Sequence, residues 1–153
     1  EKELFKRGRI VYRLDGDVIR SGLNSDLGFT ATDRDENIRR IAEVAALFQE
    51  AGLIVLVCFI APFKAMRDFA RKRAGVGGFV EVYVKADLAT CAARDPKGLY
   101  GKAGRGEIVD FTGITSPYEE PENPELVVDT VALTVPEAAA RVLALIDLYQ
   151  IYK

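Results

Sequence analysis

The chain has 153 residues, about half of them hydrophobic, which places it in the range of a single domain able to bury a core. Its 21 basic and 23 acidic side chains leave a net charge of −2 spread along the whole length, so there is no one-sided basic patch and no general nucleic-acid binding is expected. The absence of histidine rules out Ser-His-Asp and Cys-His catalysis and histidine-ligated zinc, and leaves any general base to a carboxylate.

Glu1 to Lys6 followed by Gly8 reads as the end of a helix with a C-terminal glycine, and Ile10 to Leu14 as a short buried strand. A chain that opens on the end of a helix is expected to lack something upstream. Ile38, Ile41, Ala42, Ala45 and Phe48 recur at helical spacing, which predicts a helix from Asp33 to Ala51, with Thr32 as its cap and Gly52 closing it. Leu53 to Ile60, an apolar run of strand length rich in valine and isoleucine, reads as a central parallel strand covered on both faces and ended by Pro62. Lys64 to Ala74 suits a polar helix. Gly75-Val76-Gly77-Gly78 reads as a turn, because it precedes a strand, whereas a phosphate cradle must follow one and open a helix.

Phe79 to Val84 reads as another strand and about Asp87 to Arg94 as a helix. Residues 95–124 are dense in glycine, proline and charge and too long for an ordinary connection, which points to a functional lid. Leu126 to Asp129 reads as a last short strand. Thr134 and Glu137 then form a capping box, with Pro136 in the first turn of a helix through about Leu148. The alternation predicts an α/β fold with a mostly parallel sheet and helices on both faces, as one domain over residues 1–153. Cys58 and Cys91 show no metal-ligand spacing, and both read as buried thiols of a protein in a reducing, cytoplasmic compartment. No apolar stretch approaches the roughly 20 residues of a membrane span, and the charged start is no secretory signal.

In open α/β sheets ligands collect at the C-terminal ends of the strands. The first strand runs into Leu14-Asp15-Gly16-Asp17, with Arg20 just beyond. Two acids there suit the ordering of Mg²⁺ and phosphates or the acceptance of a proton from a hydroxyl; a turn with a helix cap accounts for the same residues equally well. The apolar stripe of the long helix becomes polar at Asn37 and Arg34, which reads either as donors for a phosphate or sulfate or as a solvated first turn. Arg94, Lys97, Lys102 and Arg105 could bring cations over transferring phosphates, or belong to a charged loop. The string Gly-x-x-x-x-Gly-Lys followed by Ser or Thr does not occur: Gly101-Lys102 is followed by Ala103 and has Pro96 where the first glycine should stand.

Taken in order, Leu14-Asp15-Gly16-Asp17 with Arg20, Gly22-Leu23-Asn24 through Phe29, Asp33-Arg34 through Ala45, Arg94 through Tyr100, Phe111-Thr112-Gly113-Ile114 and Pro117-Tyr118 resemble the adenylylsulfate (APS) kinase family over nearly the whole chain. The resemblance implies a P-loop-kinase-like fold and transfer of the γ-phosphate of ATP, with Mg²⁺, to the 3′-hydroxyl of adenylylsulfate. It implies that Arg20, Arg34 and Asn37 hold adenylylsulfate, that Phe29 and Phe111 sandwich its adenine, and that Ile60 adds a backbone contact. Asp17 would orient Mg²⁺ or the attacking hydroxyl, with Asp15 in support, while Lys97 would steady phosphate charge and Arg94 would lie against the adenine of ATP. A homodimer, and a fusion to or association with ATP sulfurylase, are implied in the same way. Three departures stand out: Ala61 replaces the family's serine, so no phosphoserine can form there; Arg105 follows Gly104, the position where the family's lid arginine usually stands; and the first strand and phosphate loop are expected to be missing upstream of Lys6. The alternative reading is a catalytically inactive module that binds adenylylsulfate or its phosphorylated product.

Overall fold

Lys2–Lys6 forms a short helix, α1, whose Leu4 is almost wholly buried, and Val11–Asp15 follows as strand β1. The computed structural model describes residues 1–150, in two units that divide between Phe79 and Val80.

In the first unit β1 leads without a loop into helix α2 (Gly16–Ser21), and a loop over residues 22–29 leads to the long helix α3 (Ala31–Glu50). Strand β2 (Ile54–Cys58) pairs in parallel with β1, from Val11 opposite Ile54 to Asp15 opposite Cys58, and helix α4 (Lys64–Ala74) completes the unit. The apolar stripe of α3 supplies Ile38, Ile41, Ala42 and Ala46 to a core shared with Leu14 and Met66. Tyr12 meets Phe48 edge to face at 5.2 Å, which seals the helix against the strand.

Thr30, not Thr32, caps α3: its Oγ1 accepts the Asp33 N–H at 3.2 Å and donates to Asp33 Oδ2 at 2.7 Å. The acid three residues on selects the cap, because only Thr30 stands at the spacing where both bonds close. The expected two-sided burial of the second strand is not found. Among the described residues β2 pairs with β1 alone, and Val57 and Cys58 are exposed at its end, so Cys58 is not the buried thiol expected from its apolar neighbours. The glycines after α4 do form a turn, with Gly75 and Gly77 at positive φ and the Gly78 N–H on the Gly75 carbonyl at 3.1 Å.

In the second unit β3 (Val82–Lys85) pairs in parallel with β4 (Leu126–Asp129). Between them lie helix α5 (Leu88–Arg94), capped by Asp87, and helix α6 (Leu99–Gly104); helix α7 (Val135–Gln150) follows. β3 starts later than the β-branched run indicated. The Phe79 ring takes the Arg71 guanidinium at 4.7 Å, and the Glu81 N–H goes to the Glu125 carboxylate at 2.6 Å instead of a ladder carbonyl. The capping box of α7 is present, with Glu137 accepting the Thr134 N–H at 2.8 Å. Val128 and Leu143 are buried where α7 meets β4, and Cys91 is half-buried. Both ladders are parallel and helix-covered, the α/β arrangement expected from the alternation of elements. Among the described residues no helix is long and apolar enough to cross a membrane.

Candidate active site

Register aligns the ends of β1 and β2, from which the first candidate residues follow. Asp15 ends β1 opposite Cys58 at the end of β2, so the chain leaves both strands at the same C-terminal edge. The turn into α2 is immediate because the Asp15 carboxylate accepts the Asp17 N–H at 3.0 Å and caps the helix. The same carboxylate takes Arg13 Nη1 at 2.6 Å. Asp15 is therefore a cap and an ion-pair partner, while Asp17 stands exposed in the first turn of α2. Gly16 packs against the end of β2, where a Cβ would lie 3.6 Å from the Cys58 carbonyl and 3.8 Å from the Phe59 ring. Ile60, just past β2, is 65% exposed.

Two cations from two helices meet at Phe29. Arg20 Nη1, from α2, donates to the carbonyls of Gly28 at 2.8 Å and Leu27 at 3.3 Å, and its guanidinium lies 4.4 Å from the Phe29 ring centroid. Arg34, from α3, donates through Nε to the Phe29 carbonyl at 2.9 Å, with its guanidinium 5.8 Å from the same centroid. Held in this way, Phe29 keeps 57% of its surface exposed. An exposed aromatic ring flanked by guanidinium groups can stack on a planar base while the cations meet anionic oxygens.

The polar end of the α3 stripe meets the loop, not solvent. Asn37 is buried, and its Oδ1 accepts from Asn24 Nδ2 at 2.9 Å. One turn further on, Arg40 donates to Asp26 Oδ1 and Oδ2 at 2.7 and 2.8 Å, to Glu36 Oε1 at 2.8 Å and to the Leu23 carbonyl at 3.4 Å. Hydrogen bonds from Arg39 and Arg40 hold the Glu36 carboxyl down at about 2, and the one from Arg40 holds Asp26 below the usual carboxylate range. Asn24, Asp26 and Arg40 had no role assigned from the sequence. The Asn24 to Asn37 and Asp26 to Arg40 pairings bridge a loop to a helix, and no short-range spacing signals them; only Arg40 to Glu36, four residues apart on α3, is local.

Arg94, Lys97 and Phe111 belong to the second unit. Arg94 Nη1 and Nη2 donate to Oγ1 and the carbonyl of Thr130 at 2.9 and 2.8 Å, and Thr130 Oγ1 donates to the Lys85 carbonyl at 3.1 Å. Arg94 is thereby tied to the C-terminal ends of β3 and β4. The Asp95 carboxylate accepts the N–H groups of Tyr100 and Gly101, both at 3.1 Å, and starts α6; Lys97 is exposed between them in sequence. The Phe111 ring stands edge-on to Tyr100 at 4.9 Å, half-buried. Among the described residues no group of three or more His, Cys, Asp or Glu is arranged to hold a metal ion.

The family description "Adenylylsulphate kinase" matches residues 1–129. The adenylyl-sulfate kinase of Geotalea uraniireducens is 55% identical over 147 residues, covering 96% of this chain and 71% of its own. The bifunctional enzyme NodQ of a Rhizobium species is 57% identical over 137 residues, 90% of this chain and 21% of its own. Among solved structures, the Mycobacterium tuberculosis APS kinase CysC in complex with AMPPNP and APS superposes with a TM-score of 0.92 at 46% identity, covering 96% of this chain and 86% of that one. With the family description matching most of its length and close relatives over nearly all of it, the chain belongs to the adenylylsulphate kinase family.

Proposed function

We propose that this protein transfers the γ-phosphoryl group of ATP to the 3′-hydroxyl of adenylylsulfate, giving 3′-phosphoadenylyl sulfate and ADP. The observation that carries the reading is Phe29, exposed between the guanidinium groups of Arg20 and Arg34, a receptor for a nucleotide with an anionic group attached. Arg20, Arg34 and Asn37 hold adenylylsulfate in this reading, Phe29 takes its adenine, and Ile60 adds a backbone contact. Arg94 lies against the adenine of ATP and Lys97 steadies its phosphates.

The hydroxyl oxygen attacks the γ-phosphorus in line as the bond to the β-bridging oxygen breaks, and the hydroxyl proton passes to Asp17. Asp15, which accepts the Asp17 N–H, fixes the turn that presents Asp17. No relay through the protein is needed, and Ala61 has no hydroxyl to provide one. Mg²⁺ commonly binds through one or two carboxylates together with substrate phosphates and waters, a demand that the exposed carboxylate of Asp17 fits, with Asp15 in support through the turn it caps, and for which no three-residue cage is required. Bound with the nucleotide, it neutralises charge on the phosphate oxygens. A cytoplasmic location accords with the free thiols of Cys58 and Cys91. A homodimer is part of the same reading, and the bifunctional Rhizobium relative supports a fused or associated partner such as ATP sulfurylase.

The test is an assay with MgATP and adenylylsulfate in which nucleotides are separated. ADP and 3′-phosphoadenylyl sulfate should form in equal amounts, and Asp17→Ala should lower kcat by about 10²-fold or more without lowering Tm. Adenylylsulfate binding with no turnover would overturn the kinase in favour of a binding module.

A further inference from the structure

We propose that Asn24 is a positioning residue for the substrate: its buried amide takes the carbonyl oxygen of Asn37 and so turns the Asn37 NH₂ toward an acceptor atom of adenylylsulfate. The inference rests on the reading that Asn37 faces that substrate. It adds the residue that sets the orientation of Asn37 and the kind of atom that orientation can recognise.

Asn24 is fully buried, at 0% exposure, in a loop whose other members are mostly exposed. Its Nδ2 donates to Asn37 Oδ1 at 2.9 Å, and its own Oδ1 is sealed from solvent without a hydrogen-bond partner among the described residues. Exchanging the two ends of the Asn24 amide would set its oxygen against Asn37 Oδ1 and leave the NH₂ sealed and unpaired, so half of this side chain is idle in either orientation and only the one with Nδ2 toward Asn37 makes the bond. A buried polar atom without a partner lowers stability, and an apolar side chain in that volume would carry no such penalty. The Asn24 to Asn37 pair is therefore poorly explained as a stability device. As a device for orientation it is well made.

Asn37 has one carbonyl and one NH₂ to offer. Asn24 occupies the carbonyl, and the NH₂ has no protein acceptor among the described residues and, unlike Asn24 Oδ1, is not sealed from solvent. What remains is a donor, so Asn37 selects a lone pair, such as an oxygen of the phosphosulfate or a ring nitrogen, and rejects a hydroxyl proton or an exocyclic amine. The loop can hold this orientation because it is anchored twice more. Arg40 grips Asp26 and the Leu23 carbonyl on either side of Asn24, and Arg20 and Arg34 grip Leu27, Gly28 and Phe29 beyond it. Asn24 thus belongs to the same braced segment as the ring that receives the base.

Steady-state kinetics of the purified protein test this through KM values for adenylylsulfate and ATP, with Tm recorded for every variant. In Asn24→Asp the carboxylate can only accept, so it takes the Asn37 NH₂ and leaves the Asn37 carbonyl facing substrate. The KM for adenylylsulfate should rise about 10-fold or more, with the KM for ATP unchanged. In an Asn37→Ala background the same substitution should add less than about 2-fold, because the group it turns is gone. Should Asn24→Asp fail to fold, Asn24→Ser, which keeps a donor, is expected to hold KM near the parent value, while Asn24→Ala raises it. An unchanged KM in Asn24→Asp, an equal rise in the Asn37→Ala background, or equal effects of Ser and Ala would overturn the proposal. If Asn37→Ala itself leaves KM unchanged, the assignment of Asn37 to the substrate fails and the proposal goes with it. A rise in Asn37→Ala without one in Asn24→Asp removes the positioning role alone.

Discussion

Arg40 closes on both carboxylate oxygens of Asp26, at 2.7 and 2.8 Å, and so ties the loop that carries Phe29 to the helix that carries Arg34 and Asn37. A planar fork makes this contact; a lysine ammonium keeps the charge but not the two parallel bonds. In Arg40→Lys the KM for adenylylsulfate should rise by about 3- to 10-fold as the loop loosens. The pair is at the surface, so Tm should fall by no more than about 4 °C. Kinetics and thermal unfolding on one preparation check both, and an unchanged KM would mean that Arg20 and Arg34 hold Phe29 without this clamp.

The same network sets an acid limb of stability. Glu36 is held at about 2, against an ordinary value of 4.5, by hydrogen bonds from Arg39 and Arg40, and Asp26 is lowered by its bond to Arg40. A carboxylate whose pKa is depressed in the folded state contributes stability that is complete above the unfolded value and is lost as protons bind to the folded form. The contribution from Glu36 should therefore be present at pH 5 and above and should fall away between about pH 4.5 and 2. In Glu36→Gln, Tm should be lower than the parent at pH 6, and the difference should close toward pH 2. A difference that stays constant over this range would show that the ion pairs do not contribute.

Gly78 has no room for a side chain. A Cβ there would overlap the Ala74 carbonyl, at the end of α4, and the Gln49 amide that reaches across from α3. Gly78→Ala must push the end of α4 away from α3 and should lower unfolding stability by about 2 kcal/mol. Gly77, at φ +69 with open space around its Cα, should cost only the left-handed penalty of about 1 kcal/mol on conversion to alanine. Urea unfolding of the two variants gives the ordering, and equal losses would show that backbone conformation, not overlap, governs this turn.

Periodicity and turn chemistry made most of the fold legible. The stripe from Ile38 to Phe48 marked α3, Thr134 with Glu137 marked the start of α7, and the turn at Gly75 to Gly78 was readable because the glycines precede a strand. Helix α6 lies in the stretch that reads as a lid and is not marked there, since Gly101 and Gly104 lower its propensity; it starts because the Asp95 carboxylate reaches the N–H groups of Tyr100 and Gly101, five and six residues on. The candidate site was legible only as residue types expected at strand ends. It was not legible as partnerships, because Asn24 with Asn37, Asp26 with Arg40 and Arg94 with Thr130 stand far apart in the chain. Cys58 was misjudged for a related reason, in that an apolar run shows that a strand is hydrophobic but not how many neighbours its edges have.

Arg94 gives the last test, because its partner is known and lies at the ends of both strands of the second unit. Thr130 Oγ1 accepts from Arg94 Nη1 at 2.9 Å and donates to the Lys85 carbonyl at 3.1 Å, so one hydroxyl joins α5, β3 and β4. Thr130→Val keeps the β-branched shape and removes both bonds, while the Thr130 carbonyl still holds Arg94 Nη2. If Arg94 lies against the adenine of ATP, a loosened guanidinium should raise the KM for ATP by about 3- to 10-fold and leave the KM for adenylylsulfate within about 2-fold of the parent. Thr130→Ser retains the hydroxyl and should restore the KM for ATP. A rise in the KM for adenylylsulfate instead would move Arg94 to the other nucleotide, because Arg94 is the cation that the substitution loosens and each KM reports on one substrate.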